Sequence, residues 1–233
     1  MDLLQTAEQS GQTLSTTIAN TLRAAISNGE LAPGCKLRLD ELRVTFGVSL
    51  SPLREALSRL SAEGFVVMED QRGYRVAPVS EQNLVEVTKL RGMVECFALR
   101  EAIARGDDKW EGDVVASLYR LNKLERTDAP ADQVAWEGAH RDLHYRLISA
   151  CNMPLLLTFS ATLHDLNDRY RRLFLTSRPF DKTVRREHTD IANAALERNA
   201  DLACGILAEH IERTGTNIRK AILKSDAPLK QAA

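Results

Sequence analysis

GVSLSPLREALSRLSAEGFVV, residues 47–67, is the segment on which the fold turns. Gly47 can supply the left-handed backbone of a tight turn, and Gly64 the end of a helix. Between them, Leu50 to Ala62 reads as one helix. Val48, Leu53, Leu57 and Leu60 fall on a single face at helical spacing and are expected to pack inward. Ser49 and Ser51 stand at the start of this helix, where their hydroxyls and the positive end of the helix dipole suit a phosphate. Arg54 lies one turn on, on the outward face, with a forked donor group that can engage guanine or phosphate. The periodicity alone fits equally well an amphipathic surface helix with an incidental arginine.

Upstream, LSTTIANTLRAAISN (residues 14–28) places Leu14, Ile18, Leu22 and Ile26 four apart, one helical stripe with Thr13 as N-cap and Gly29 as stop. Ala32-Pro33-Gly34 is a turn, and Leu39 to Phe46 a short second helix halted at Gly47. Downstream, Phe65-Val66-Val67-Met68 and Tyr74-Arg75-Val76-Ala77 flank the polar tip Glu69-Asp70-Gln71-Arg72-Gly73, which predicts a β-hairpin. Three helices followed by a small β-hairpin describe a winged helix-turn-helix. In that arrangement Ser49, Ser51, Pro52 and Arg54, with Arg43 before them, face double-stranded DNA. Arg72 and Gly73 form the wing tip, from which an arginine can enter a minor groove. Net charge lends no support, since residues 1–78 carry eight Lys/Arg against nine Asp/Glu and the whole chain stands at −1. Only the placement of individual arginines can supply a DNA-binding face.

Pro78 punctuates the chain, and from Ser80 nearly everything to about residue 225 is helical in pattern. Helices are expected near 81–105, 109–126, 132–151, 154–175, 180–198 and 200–224, separated by Gly106, Pro130, Asn152 with Pro154, Pro179, and Asn199. Six helices on short connections describe an all-helical antiparallel bundle. The expectation is a mainly α protein: a winged helix-turn-helix over 1–78, a bundle over 79–225 and a flexible tail over 226–233. At 233 residues, 44% hydrophobic and 27% charged, the chain suits two such cores. Cys35, Cys96, Cys151 and Cys204 include no CxxC pair, which argues against a disulfide framework or thiolate zinc site and fits a reducing, cytoplasmic setting. No apolar run reaches the roughly 18 residues of a membrane helix, and residues 1–13 lack a secretion-signal core. No membrane partner is expected.

Four of the five histidines form a pattern of their own. His140 and His144 are four apart and project from one face of one helix, while His188 and His210 lie on later helices. Neutral imidazoles converging from three helices would make a good shell for Zn²⁺ or Ni²⁺. Scattered surface or core histidines account for the spacing as well. His164 has no partner at helical spacing and stays outside the set. A metal-dependent hydrolase is a third reading, because His140-Arg141-Asp142-Leu143-His144 has the outline of H-E-x-x-H. That chemistry needs a glutamate as general base, and Arg141 holds the place. No enzyme is expected.

Leu14 to Val79 resembles the winged helix of the GntR family, whose identifying string G-V-S-x-x-P-[VL]-R-E-A-L stands here as Gly47-Val48-Ser49-Leu50-Ser51-Pro52-Leu53-Arg54-Glu55-Ala56-Leu57. Leu31, Pro33 and Gly34 upstream and Glu63-Gly64-Phe65 downstream extend the match over the whole domain. It departs at Leu50, a position often arginine in that family, so a base contact made there by relatives is missing or replaced. Residues 81–224 resemble the FCD ligand-binding domain of the FadR branch. That domain carries an acidic residue four before a histidine, then a later Glu-His and a final His-[Ile/Leu]. Here the histidines are His144, His188 and His210, and His140 takes the acidic place.

The resemblance implies a divalent metal, Zn²⁺ or Ni²⁺, on His140, His144, His188 and His210, with a preference altered by the loss of a carboxylate ligand. It also implies a small carboxylate effector, held by the metal and by an arginine of the first bundle helix. Arg91 stands there, with Glu95 one turn on to fix its fork. Arg169 is a second candidate, on a face shared with Leu155 and Leu166 that is expected to point inward. Trp136-Glu137-x-x-His140-Arg141-x-x-His144, with Arg169-Tyr170-Arg171-Arg172, is similar to a sub-branch that includes regulators of glutarate and related dicarboxylate catabolism. The function so implied is a homodimeric repressor that reads a near-palindromic operator and changes affinity when the carboxylate binds. The competing classes are the metal-dependent hydrolase and a helical scaffold that senses nothing.

Overall fold

The computed structural model describes residues 11–124, 129–175 and 182–224. The expected break at Pro179, helix residues 125–126 and 180–181 and the tail at 226–233 lie outside the described residues. Two compact units are present, residues 11–80 with 168–173 and residues 81–167 with 174–224.

The first unit runs α1 (Leu14–Ser27), β1 (Lys36–Leu37), α2 (Leu39–Phe46), α3 (Leu50–Ala62), β2 (Val66–Glu69) and β3 (Gly73–Val76). Thr13 caps α1, its Oγ1 accepting the Thr16 amide at 3.2 Å. Ile18, Leu22 and Ile26 of α1 and Leu53, Ala56, Leu57 and Leu60 of α3 are at most 2% exposed, and the two stripes pack together as the core. Gly47 ends α2 at φ +66°, a left-handed turn that would cost a residue with a β-carbon about 1–2 kcal/mol. That turn lets α3 start three residues later. A strand that sequence reading missed joins the hairpin. β1 pairs antiparallel with β3, Lys36 opposite Arg75 and Leu37 opposite Tyr74, giving the order β1-β3-β2. Two residues are too few to show alternation, and the pairing spans nearly forty positions.

The second unit is helical: α4 (Glu81–Arg105), α5 (Asp108–Lys123), α6 (Pro130–Ile148), α7 (Pro154–Leu175), α8 (Lys182–Leu196) and α9 (Ala200–Lys224), with a short 3-10 turn at Ser149–Cys151. Residues 168–173 of α7 group with the first unit. Local chemistry sets the helix starts. Asp107 Oδ1 accepts the Trp110 amide at 2.9 Å, Pro130 opens α6, and Asn199 Oδ1 accepts the Leu202 amide at 3.1 Å. Leu99, Trp110, Leu143, Leu147, Ile191, Leu207 and Ile211 belong to one apolar core. Beside it, Arg91, Glu95, His140, His144, His164, His188 and His210 are each at most 5% exposed. Burying that many ionisable groups is costly unless they satisfy one another or a ligand. Their concentration positions the site.

Candidate functional site

Three contacts brace α3 against α1. Ser15 Oγ donates to Glu55 Oε1 at 2.9 Å, Arg59 Nη1 to Thr16 Oγ1 at 3.0 Å, and Arg23 pairs with Glu63 at 2.6 Å. Val48, Leu53, Leu57 and Leu60 are buried, while Ser49, Ser51 and Arg54 are exposed, as is Arg43 on α2; Pro52 is half-buried. Ser49 is the N-cap of α3 but makes no side-chain capping bond, so its hydroxyl and the first amides of a 13-residue helix can receive an external anion. At the hairpin tip Arg72 is exposed and Gly73 sits at φ +88°. The hairpin base is held by Arg75, whose Nε lies 2.9 Å from Glu69 Oε2 and whose Nη1 donates to the Gly34 carbonyl at 3.2 Å. A rigid helix with short hydroxyls and an arginine facing outward is suited to a duplex groove.

In the second unit the histidines converge. His140 and His144 come from α6, His188 from α8 and His210 from α9, and one ring nitrogen of each lies within 4.8 Å of the others. Ring centroids are 4.6 Å apart for His140 and His144, 4.9 Å for His140 and His188, and 4.7 Å for His188 and His210. Carboxylates orient two of the rings from behind. Glu187 Oε2 stands 2.7 Å from His210 Nδ1, and Glu95 Oε2 stands 3.3 Å from His144 Nδ1. An acceptor at Nδ1 selects the Nδ1–H tautomer and turns the Nε2 lone pair inward, the usual support for a metal-binding imidazole. Burial, reinforced by the neighbouring histidines, holds His140 well below the usual imidazole range. Burial outweighs the pull of Glu95 and pushes His144 down to about 3; it also lowers His210 despite Glu187. His140, His144 and His210 are therefore neutral near pH 7, the form that ligates a cation.

The residues present fit a divalent metal. His140 Nδ1 and His144 Nε2 are buried and make no hydrogen bond among the described residues, a costly arrangement in a purely structural cluster. Four imidazole nitrogens suit a borderline cation with metal–nitrogen bonds of about 2.0–2.1 Å.

Arg91, on α4, is 1% exposed and donates through Nε to Glu95 Oε1 at 2.6 Å. Its Nη2 stands 3.2 Å from His164 Nδ1 and 3.4 Å from His144 Nδ1. Burial would raise the Glu95 carboxyl, but the Arg91 charge and hydrogen bonds from His144 and His164 hold it well below its usual range. A cavity of about 260 Å³ opens beside this group, lined among others by Glu95, Arg141, His144, Leu157, Ser160 and His164. Arg141 forms an ion pair with Asp165.

The structure thus brings Arg91 to His144, one of the four histidines, and adds His164, which sequence reading left aside. Its ring centroid lies 5.2 Å from that of His144 and 5.7 Å from that of His140. No histidine spacing on its own helix could have found it, because Arg91 and His144 come from α4 and α6. Arg169 is buried, as its apolar neighbours suggested, and its Nη2 donates to the Ala77 carbonyl; neither Arg169 nor Arg91 lines the cavity.

A braced outward-facing helix after a tight turn, with a wing, and a helical unit enclosing a polar cluster and a cavity define a two-unit protein of the winged helix-turn-helix class. Residues 14–76 match the family described as bacterial regulatory proteins, gntR family, and residues 86–213 match the FCD domain. The HTH-type transcriptional regulator BphR of Paraburkholderia xenovorans is 37% identical over 85% of this chain and 82% of its own length. The HTH-type transcriptional repressor GlaR of Escherichia coli is 34% identical over 82% of this chain and 89% of its own. The chain belongs to the GntR family, in the FadR-type group that carries an FCD domain, and is a DNA-binding transcription regulator. Escherichia coli McbR/YncC shares the fold, with a TM-score of 0.73 and 19% identity over 89% of this chain and 98% of that one. The hydrolase outline at His140–His144 accordingly marks no enzyme. No helix among the described residues is long and apolar enough to cross a membrane.

Proposed function

We propose that the protein is a metabolite-responsive repressor whose operator affinity is changed by a small carboxylate bound in the second unit. Its DNA-reading part spans residues 1–78 and its sensing part 79–225, and it works as a homodimer in which each protomer reads half of a near-palindromic operator. Ser49, Ser51 and Pro52 seat the start of α3 on the phosphates, Arg54 reads a base edge, and Arg43, Arg72 and Gly73 supply flanking and wing contacts.

The observation that carries the sensing half is the pair of buried, hydrogen-bond-free nitrogens, His140 Nδ1 and His144 Nε2, with His144 also lining the cavity. His140, His144, His188 and His210 would hold Zn²⁺ or Ni²⁺, which supplies a Lewis-acidic anchor for a carboxylate oxygen. Arg91 adds a second, charge-assisted anchor and is kept aligned by Glu95. A cavity of about 260 Å³ accommodates acids of a few carbons. Effector occupancy shifts the operator equilibrium only by as much as the acid binds one arrangement better than the other.

Thermal-shift measurement on the full chain, with C3–C6 mono- and dicarboxylates and with or without Zn²⁺ or Ni²⁺, tests this reading. A ligand at a hundredfold excess over its Kd stabilises the native state by about 2.7 kcal/mol. A cooperative rise with metal and one acid, which also weakens operator binding, is expected. A melting temperature indifferent to every metal and acid would leave a DNA-binding protein without a sensor.

A further inference from the structure

Cys96 on α4 and Cys204 on α9 meet where these two helices pack. Cys96 Sγ lies 3.5 Å from the Cys204 carbonyl oxygen, and Cys204 Sγ lies 3.3 Å from the Cys96 carbonyl oxygen. A reciprocal approach of this kind requires the two backbones to run close together. They do so further along the seam as well, where a β-carbon on Gly215 of α9 would stand 2.6 Å from Thr88 Oγ1 of α4. Each sulfur is thus a side-chain rotation away from the other.

The two thiols differ chemically. The Cys96 S–H, helped by the Arg100 guanidinium and opposed by burial, lowers the Cys204 thiol to about 7. Cys96 is raised by the same pairing and by burial. One sulfur therefore ionises near neutrality while its neighbour keeps the proton, the combination that suits an attacking thiolate and a resolving thiol. Arg100 is exposed, so the seam lies near solvent at this point. By contrast, burial raises the Cys35 thiol, and Cys151 is fully buried.

We propose that Cys96 and Cys204 form a reversible dithiol–disulfide pair, oxidised by hydroperoxides, that ties α4 to α9 beside the histidine site. The Cys204 thiolate attacks the peroxide oxygen: a sulfur–oxygen bond forms, the oxygen–oxygen bond breaks, and the leaving alkoxide or hydroxide takes up a proton. Cys96 then attacks the resulting sulfenic sulfur. The sulfur–sulfur bond forms, the sulfur–oxygen bond breaks, and the departing hydroxide leaves as water with the Cys96 proton. The two sulfurs lose two electrons in all, and the peroxide gains them. Arg91 and Glu95 precede Cys96 on α4, and His210 follows Cys204 on α9, so the link fixes the spacing of helices that carry the site.

The test treats reduced full-length protein with hydrogen peroxide, then combines thiol titration with non-reducing peptide mapping. Two thiols per chain should disappear, a Cys96–Cys204 cross-linked peptide should form, and dithiothreitol should restore both thiols, with Cys35 and Cys151 alkylatable throughout. Cys96→Ser should stop at a dimedone-trappable sulfenic acid on Cys204, and Cys204→Ser should slow thiol loss at least tenfold. Should a serine variant fail to fold, the peptide map of the unaltered chain decides alone. Survival of all four thiols, oxidation of Cys35 ahead of the pair, links between chains only, or undiminished thiol loss in a folded Cys204→Ser protein would each overturn the proposal.

Discussion

Replacing Arg91 by methionine, which keeps most of the volume and removes the charge, should destabilise the protein by about 3–5 kcal/mol. The magnitude follows from the position of the pair. Both side chains are 2% exposed, and Nε and Oε1 are 2.6 Å apart. The substitution leaves the Glu95 carboxylate in the bundle interior without its guanidinium, facing His144 and His164. Glu95→Gln alone should cost a comparable amount, since it strands the guanidinium instead. The double variant Arg91→Met/Glu95→Gln removes both charges and should return to within about 2 kcal/mol of the parent, a coupling that only contacting groups display. Urea unfolding of the full chain, followed by circular dichroism after metal removal, measures each corner of the cycle without a contribution from ligand binding. Strict additivity of the two single changes, or a loss below about 1 kcal/mol for Arg91→Met, would refute the view that this pair is held as opposite charges inside the bundle.

Three further outcomes are expected. Arg54→Ala should weaken specific operator binding by about 1–3 kcal/mol, roughly five- to 150-fold, with an unchanged melting temperature; full retention in a gel-shift assay would remove Arg54 from the reading surface. Leu57→Ala, at a position 0% exposed, should destabilise by about 2–5 kcal/mol, as chemical denaturation will report. In chelator-treated protein, adding Ni²⁺ or Zn²⁺ should raise the melting temperature of the parent but not of His144→Gln, and equal responses would separate the metal from the histidine cluster.

The helices were legible because the signals that make them are local. Four-residue spacing of Ile18, Leu22 and Ile26, the cap at Thr13 and the turn at Gly47 each act within a few positions along the chain, and α2 and α3 begin and end where those signals lie. The outward placement of Ser49, Ser51 and Arg54 follows from the same period, since burying Leu53, Leu57 and Leu60 leaves them no other side. The pair His140 and His144 was visible for the same reason, being one turn apart on one helix.

What the tertiary structure alone decided is which side chains from different helices meet. His164 has no second histidine at helical spacing, and its place beside Arg91 and His144 depends on the packing of α4, α6 and α7. Arg169 lies on an inward-facing stripe as expected, and its Nη2 donates to the Ala77 carbonyl, an acceptor more than ninety residues away. β1 and the Cys96–Cys204 contact likewise join positions far apart in the chain. Periodicity specifies the face of a helix through local backbone geometry. The partner that face receives is set by long-range packing, which no short window of sequence contains.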